Sequence, residues 1–232
     1  MQVIDESRPL PRDTAARIAG AFLPDWALGN RYHYYYARTK LGSDPLYPGV
    51  IDALAGSRAP LLDLGCGLGL LAHALHDAGI HVPYPGVDND AGKIASARRA
   101  AARKGLPDAR FDTVDLEHAT PDHRGSVAIL DMLQFLDPPR QLDLIGTAID
   151  MLGDDGRLVI RTGLEDGSQR GRITRRADVL ARVLGWMNAA PRHYPDPDRL
   201  RALFEARGLH STFSPLSGNT PFNNWRIVAQ RR

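Results

Sequence analysis

The sequence predicts an α/β fold built on a parallel, doubly wound sheet. Between residues 60 and 160, short apolar runs alternate with amphipathic stretches of helical spacing, which is the pattern of repeated strand–helix units. The chain has 232 residues, of which 43% are hydrophobic and 24% are charged. This size and composition suit one globular domain with a sizeable core.

The first strand–helix unit contains a glycine-rich loop. Residues 61–69 read Leu-Leu-Asp-Leu-Gly-Cys-Gly-Leu-Gly, and an amphipathic stretch begins at Leu70. This pattern predicts a buried strand, a tight turn and the start of a helix. Glycines at alternate positions allow positive φ and place no Cβ against a ligand, which can bind the backbone at the positive end of the helix.

The spacing of this loop distinguishes two classes of nucleotide-like ligand. A dinucleotide loop has the pattern G-x-G-x-x-G with a small third residue, but the corresponding position here is the bulky Leu70. Asp63 precedes Gly65 by two residues, where its carboxylate would repel a pyrophosphate. S-adenosylmethionine has no phosphate, and an acid can face its ammonium group. The loop therefore favours this sulfonium cofactor over NAD.

The segment resembles the first motif of class I S-adenosylmethionine-dependent methyltransferases, acid-x-G-x-G-x-G, at every defined position. The resemblance covers residues 55–165 and, more loosely, 200–232. It implies a Rossmann-like fold with a mostly parallel seven-stranded sheet and a C-terminal antiparallel hairpin, for which residues 209–215 and 225–230 fit. The cofactor-binding residues that it implies in the first loop are Asp63, Gly65, Cys66, Gly67 and Gly69.

The second strand ends in an acid, at the sequence Val-Asp88-Asn89-Asp90. A carboxylate about 20 residues beyond the glycine loop can accept both ribose hydroxyls of a nucleotide. The resemblance gives this role to Asp88 and implies that Asn89 stacks near the adenine. Asp90 is instead a candidate N-cap of the next helix.

Two further acids follow the third and fourth strands. The resemblance implies that Asp115 binds the adenine amino group and that Leu116 offers a backbone N–H, although Asp115 could also be an ordinary loop acid. Asp131 ends the fourth strand, where α/β sheets bind ligands, and we include it among the cofactor-binding residues. Many related small-molecule enzymes have a histidine near position 134. This chain has Gln134, which cannot act as a general base.

The run Asp137-Pro-Pro-Arg140 is similar to a signature of amino-methyltransferases. In those enzymes the signature lies at the end of the fourth strand, whereas here Asp131 already ends that strand and an arginine replaces the aromatic residue. A helix start is the simpler interpretation, with Asp137 as N-cap and the prolines in the first turn. The fifth strand is predicted at residues 156–161.

We predict a single domain over residues 1–232, divided into four segments. These are an N-terminal helical lid (1–55), a cofactor-binding core (56–163), a helical insertion (164–198), and a last helix with antiparallel strands (199–232).

The predicted lid is rich in tyrosine. One helical stripe contains Leu28, Tyr32, Tyr35, Tyr36 and Thr39. Core packing is one explanation of the stripe. The other is a cover over the cofactor, because buried phenols need hydrogen-bond partners. In that case Tyr36, Arg38 or Lys40 would reach the cofactor or the substrate.

The predicted insertion contains an amphipathic stretch with five arginines between residues 170 and 182. Its apolar positions are Ile173, Ala177, Leu180, Leu184 and Met187. The arginines form either a solvated face or a surface for an acidic partner, such as a carboxylated substrate or an acyl carrier protein.

Candidate acceptor-site residues lie in segments far apart in the chain. His193 is the candidate general base, because histidine titrates near neutral pH and family substrate pockets often draw on this region. A surface histidine is the alternative. We expect Tyr36, Arg161, His193 and Tyr194 to line one pocket that faces the cofactor methyl group, with Arg38 as a further substrate-binding residue.

Several classes of protein are not favoured by the sequence. No apolar run approaches the roughly 18 residues of a membrane span, and the first residues lack a signal-peptide pattern. The single cysteine excludes an internal disulfide and agrees with a cytoplasmic location. His73 and His76 share a helix, but no acid or thiol set accompanies them, so we expect no metal. A net charge of +2 does not favour nucleic acid as a partner.

The expected reaction is methyl transfer from S-adenosylmethionine to a small-molecule acceptor, with S-adenosylhomocysteine as the product. The segments 31–47 and 220–225 resemble methyltransferases of bacterial aryl-polyene pigment pathways, which implies an aromatic or phenolic acceptor that a carrier protein can hold. Three alternatives stay open: an RNA- or protein-modifying methyltransferase, a nicotinamide-dependent oxidoreductase, and a non-catalytic cofactor-binding module. The oligomeric state is not predicted.

Overall fold

The computed structural model describes residues 8–165, 193–218 and 223–231. Most of the predicted insertion therefore lies outside the described residues, including its apolar stripe and its five arginines. Residues 219–222, in the predicted loop between the last two strands, lie outside them as well.

Seven strands of the described chain form one sheet. They are β1 (Leu61–Leu64), β2 (Tyr84–Asp88), β3 (Ala109–Thr113), β4 (Ser126–Leu130), β5 (Arg157–Gly163), β6 (Leu209–Pro215) and β7 (Asn224–Arg231). Their spatial order is β3-β2-β1-β4-β5-β7-β6. The first five strands run parallel, and β7 is antiparallel to both β5 and β6. The predicted fold class, including the C-terminal hairpin, is confirmed.

The hairpin also explains where β5 ends. This strand runs to Gly163, two residues beyond the predicted end, because β7 pairs with it as far as Asn224. Arg161 therefore lies inside β5, two residues before the carboxyl end of the strand.

Helices cover both faces of the sheet. They are α1 (Arg12–Ala19), α2 (Tyr32–Ser43), α3 (Leu46–Ala53), α4 (Leu70–Asp77), α5 (Ala91–Lys104), α6 (Pro138–Asp150) and α7 (Pro197–Ala206). The first five contribute to one apolar cluster and the last two to a second cluster. Along β1, Leu62 and Leu64 face the second cluster, so Asp63 faces the first, because side chains alternate along a strand. None of the described helices is long and apolar enough to cross a bilayer.

One of the two predicted aspartate caps makes its capping hydrogen bonds. Asp90 accepts hydrogen bonds from the backbone N–H groups of Gly92 (2.9 Å) and Lys93 (3.0 Å) at the start of α5. A further aspartate, Asp196, caps α7 by accepting a hydrogen bond from the N–H of Asp198 (2.8 Å). Asp137 occupies the N-cap position of α6, as predicted, but its side chain makes no capping hydrogen bond.

The predicted stripe, which runs from Leu28 to Thr39, does not form a buried face of α2. Leu28 precedes α2 and is 84% exposed, and Tyr35 on α2 is 55% exposed. The buried residues of α2 are Ala37 and Leu41, which pack in the first cluster together with half-buried tyrosines. Helical spacing identifies which residues share a face, but the shape of the neighbouring surface decides which face is covered.

We predict that Asp90→Ala destabilises the protein by about 1 kcal/mol, because α5 loses a cap that satisfies two backbone N–H groups. Asp137→Ala is the matched control, since it removes an aspartate at the same helix position that makes no cap bond. The control should change stability by less than about 0.5 kcal/mol. Urea unfolding followed by far-UV circular dichroism measures both, and equal losses in the two variants would contradict this assignment.

Candidate functional site

The glycine-rich loop joins β1 to α4 in a left-handed backbone conformation. Gly67 and Gly69 have φ values of +55° and +69°. A Cβ on Gly69 would collide with the ring of Phe111, so this position needs glycine for space as well as for conformation. A Cβ on Gly67 would meet nothing within 4 Å. The loop therefore presents bare backbone to an open space beside the start of α4, where N–H groups and the helix dipole favour a polar ligand.

Asp88 ends β2 directly beside this loop. Its Oδ2 accepts a hydrogen bond from the Gly67 N–H at 2.9 Å, and its Oδ1 accepts one from the Asp90 N–H at 2.9 Å. Each carboxylate oxygen can accept a second bond, so two hydroxyl groups of a ligand could be held while the backbone bonds stay in place. Asn89 follows with an exposed side chain.

Asp115 and Leu116 lie on the loop after β3. The exposed Asp115 carboxylate accepts hydrogen bonds from the Glu117 N–H (2.9 Å) and from the His118 ring (3.1 Å). The Glu117 bond lowers the pKa of Asp115 most, so this acid is charged at neutral pH. Leu116 is half-buried and packs against the second apolar cluster.

Asp63 and Cys66 are more enclosed than the rest of the loop. The Tyr84 hydroxyl donates a hydrogen bond to Oδ2 of Asp63, and Oδ1 has no partner among the described residues. Burial raises the pKa of Asp63 to about 7, against the opposing effect of the Tyr84 bond. Burial also raises the pKa of the Cys66 thiol, whose sulfur packs beside Gly86. The thiol is therefore protonated and unreactive at neutral pH.

Asp131, directly after β4, belongs to a cluster of four charged side chains. The Arg161 guanidinium donates to both carboxylate oxygens of Asp131 and, from its other terminal nitrogen, to Asp44 at 2.9 and 3.1 Å. Lys40 Nζ donates to Asp44 Oδ2 at 2.6 Å and to Asp131 Oδ2 at 2.9 Å. We call these four residues the charge quartet; it joins β4, β5 and the N-terminal segment.

The quartet is closed on one side and open on the other. The side chains of Arg161 and Asp44 are 2% and 8% exposed, whereas those of Lys40 and Asp131 are 23% and 28% exposed. Burial favours the neutral form of Asp131, but Arg161 and Lys40 outweigh it and lower the pKa to about 2. Asp131 is therefore a permanent anion, too weak a base to accept a proton from a substrate hydroxyl.

Asp44 is the member of the quartet that sequence reasoning missed. A signal was present, because an acid followed by proline and an apolar run is a common helix start. Its Oδ1 does accept the N–H of Leu46 at 3.0 Å, at the beginning of α3. The local pattern could have identified the cap, but not the buried arginine that shares the same carboxylate.

The predicted acceptor-site residues are divided between α2, which contains Tyr36 and Arg38, and the region of β5. Tyr36 is half-buried one turn before Lys40, and burial raises its pKa, so the phenol stays protonated. Arg38 on α2 is exposed. The ring of Tyr194 packs so closely on Gly163 that a Cβ there would lie 2.7 Å from it. Arg161 is enclosed by its two carboxylates, and its role in binding substrate stays a prediction.

His193 lies near the end of β4, next to Gln134. Its N–H donates to the Gln134 carbonyl at 3.3 Å, and its own carbonyl accepts from Gln141 Nε2 at 2.9 Å. The ring is half-exposed, with Nε2 at 3.6 Å from a carboxylate oxygen of Asp137. Its backbone is thus at the predicted edge of the sheet, and its function as a base stays a prediction. Within the described ranges, no group of three or more His, Cys, Asp or Glu residues could hold a metal ion.

Comparison with known proteins identifies the core. The family described as "Methyltransferase domain" matches residues 61–156, from β1 to the start of β5. A curated relative, a ubiquinone biosynthesis O-methyltransferase of Marinobacter nauticus, is 31% identical over an alignment of 124 residues that covers 51% of this chain and 50% of the relative. The chain thus spans about half the length of this relative.

Solved structures agree on the fold. A magnesium protoporphyrin IX methyltransferase from Synechocystis PCC 6803 with bound S-adenosylhomocysteine is similar over 95% of this chain and 94% of its own, with a TM-score of 0.62 and 18% identity. An O-methyltransferase from neocarzinostatin biosynthesis is similar over 85% of this chain and 55% of its own, with a TM-score of 0.61 and 16% identity. Residues 61–156 therefore match a methyltransferase domain, and the described chain has the same fold as these methyltransferase structures.

Proposed function

We propose that this protein transfers the methyl group of S-adenosylmethionine to a small-molecule acceptor. The observation that carries the proposal is the pairing of Gly67 with Asp88 inside the matched methyltransferase domain. This pairing leaves an open, backbone-lined space on one side of a carboxylate that can accept two hydroxyl groups. The residues therefore fit the adenosine part of the cofactor.

The remaining cofactor contacts are proposed from position. Asp88 would hold the ribose, Asn89, Asp115 and Leu116 would surround the adenine, and the loop with Asp131 would face the amino acid part. When bound, the cofactor supplies a methyl group on an activated sulfonium leaving group. The task of the protein is then to align the acceptor atom with that methyl carbon, which removes an entropic part of the barrier.

An aromatic or phenolic acceptor is supported by the aromatic side chains at the carboxyl edge of the sheet. Tyr36 on α2 and Tyr194 beside β5 can contact a planar ring while their hydroxyls bind its polar groups. The neocarzinostatin O-methyltransferase was solved with S-adenosylmethionine and 2-hydroxy-5-methyl naphthoic acid, which is an aromatic acid. An acceptor attached to an acyl carrier protein is a further form of the same proposal.

We predict that S-adenosylhomocysteine, at about 100 times its dissociation constant, stabilises the protein by roughly 2.7 kcal/mol. For a chain of this length the midpoint of thermal unfolding should rise by roughly 5–11 °C. Thermal-shift measurements with S-adenosylmethionine, S-adenosylhomocysteine and NAD test this directly. Stabilisation by NAD alone would indicate an oxidoreductase instead. Cofactor binding without methyl transfer to any hydroxylated aromatic acceptor in a panel would favour a non-catalytic module.

We predict that Asp88→Ala weakens S-adenosylhomocysteine binding at least tenfold, because each hydrogen bond to a charged group contributes about 1.5–3 kcal/mol. Isothermal titration calorimetry measures the dissociation constant. Asp90→Ala is the matched control: its carboxylate caps α5, so the variant should lose stability but keep its affinity. An unchanged dissociation constant in Asp88→Ala would remove Asp88 from the proposed site.

If His193 takes a proton from the substrate that is methylated, His193→Ala should lower kcat. We predict that the dissociation constant of S-adenosylhomocysteine stays unchanged. The pH profile of kcat should then lose its acidic limb, because the group that must be deprotonated is gone. Equal kcat and an equal pH profile in the variant and the wild type would show that His193 is a surface histidine.

A further inference from the structure

Helix α2 is bound near both of its ends by polar contacts to other elements of the chain. Near its N-terminus, His33 Nδ1 lies 3.0 Å from the Ser96 hydroxyl on α5. Near its C-terminus, Lys40 Nζ lies 2.9 Å from Asp131 Oδ2. The helix itself buries Ala37 and Leu41, and it packs on α1. Helix α2 is therefore held by apolar contact with α1 and by polar contacts to α5 and to the residue that follows β4.

We propose that Lys40 is a positioning residue, which fixes α2 to Asp131 and thereby completes the cofactor-binding edge of the site. This inference rests on the proposed function, since it concerns how the same site is assembled. It assigns no proton transfer to Lys40. The lysine acts through the two groups that it positions, the Asp131 carboxylate and the Tyr36 phenol.

Asp131 is held from the sheet side by contacts that do not involve α2. Its N–H donates to the Arg161 carbonyl at 2.8 Å, and its carbonyl accepts from Gln134 Nε2 at 2.8 Å. It is also the only non-glycine residue with positive φ in the described ranges, at +55°. A non-glycine residue in this conformation costs free energy, so the surrounding contacts must hold it there. Asp131 therefore forms a fixed anchor to which Lys40 can attach α2.

Lys40 also balances the charge at the open side of the quartet. Two cations and two carboxylates give a neutral group, and only Lys40 and Asp131 are partly exposed. Without the lysine, two carboxylates would share one arginine. Asp131 would then repel the Asp44 carboxylate, whose segment joins α2 to α3. Loss of Lys40 should consequently loosen α2 while Asp131 stays bound to Arg161.

The position of Tyr36 follows from the same contact. Residues four apart on a helix lie on the same face, so the Tyr36 side chain is the neighbour of Lys40 toward the N-terminus of α2. The charges of Lys40 and Asp131 both act on the phenol, which burial keeps protonated. Lys40 thus brings a hydrogen-bond donor, the Tyr36 hydroxyl, to the same edge as a permanent acceptor, the Asp131 carboxylate.

Hydrogen exchange of the ligand-free protein tests the attachment without any cofactor. In Lys40→Met, exchange of the amides in α2 should be at least tenfold faster than in the wild type, with no change in α6. Lys40→Arg keeps the charge and should restore most of the protection. Lys104→Met, at the exposed end of α5, is the matched control and should behave as the wild type. Unchanged exchange of α2 in Lys40→Met would overturn the proposal.

Calorimetry with S-adenosylhomocysteine tests the effect on the site. The dissociation constant should rise at least tenfold in Lys40→Met and return to within about threefold of the wild-type value in Lys40→Arg. Equal affinity of the wild type and Lys40→Met would overturn the inference alone, whereas a wild type that does not bind would overturn the proposed function. If Lys40→Met fails to fold, Lys40→Gln removes the positive charge and keeps a polar side chain, and the same two measurements decide.

Discussion

The parallel pairing of β1 with both β2 and β4 is the constraint on which the site depends. The register aligns Leu64 with Val87 on one side and with Ile129 on the other, so the three strands end at the same edge. The glycine loop follows β1, Asp88 is the last residue of β2, and Asp131 follows β4, so all three lie at this edge although they are far apart in sequence. The hydrogen bond from Gly67 to Asp88 is a direct result of this alignment.

The charge quartet attaches the N-terminal segment to this edge. Removing one partner from a buried ion pair typically costs about 3–5 kcal/mol, because the remaining charge is left uncompensated. Arg161 is almost fully enclosed, so its presence in the sheet requires the carboxylates of both Asp44 and Asp131. Asp44 comes from the segment before β1, and the sheet therefore fixes the place of that segment by charge as well as by apolar contact.

Local sequence patterns predicted those features that contacts between residues close in sequence stabilise. The cap of α5 depends on one aspartate and the N–H groups within three residues of it, and it was predicted from the sequence. The stripe on α2 was not buried, because the side of this helix that packs on α1 and the first apolar cluster contains the smaller Ala37 and Leu41. Asp44 was missed because its main partner, Arg161, is 117 positions away.

The sequence by itself determined the fold class and the glycine loop, since strand–helix alternation and the glycines that permit positive φ are properties of short segments. Only the tertiary structure decided which charge each acid bears and what it binds. Asp63 and Asp131 both lie in the predicted cofactor edge, yet burial raises the pKa of one and two cations lower that of the other. The physical reason is that the pKa of a carboxylate depends on its desolvation and on the charges near it in space, and the residues beside it in the sequence determine neither.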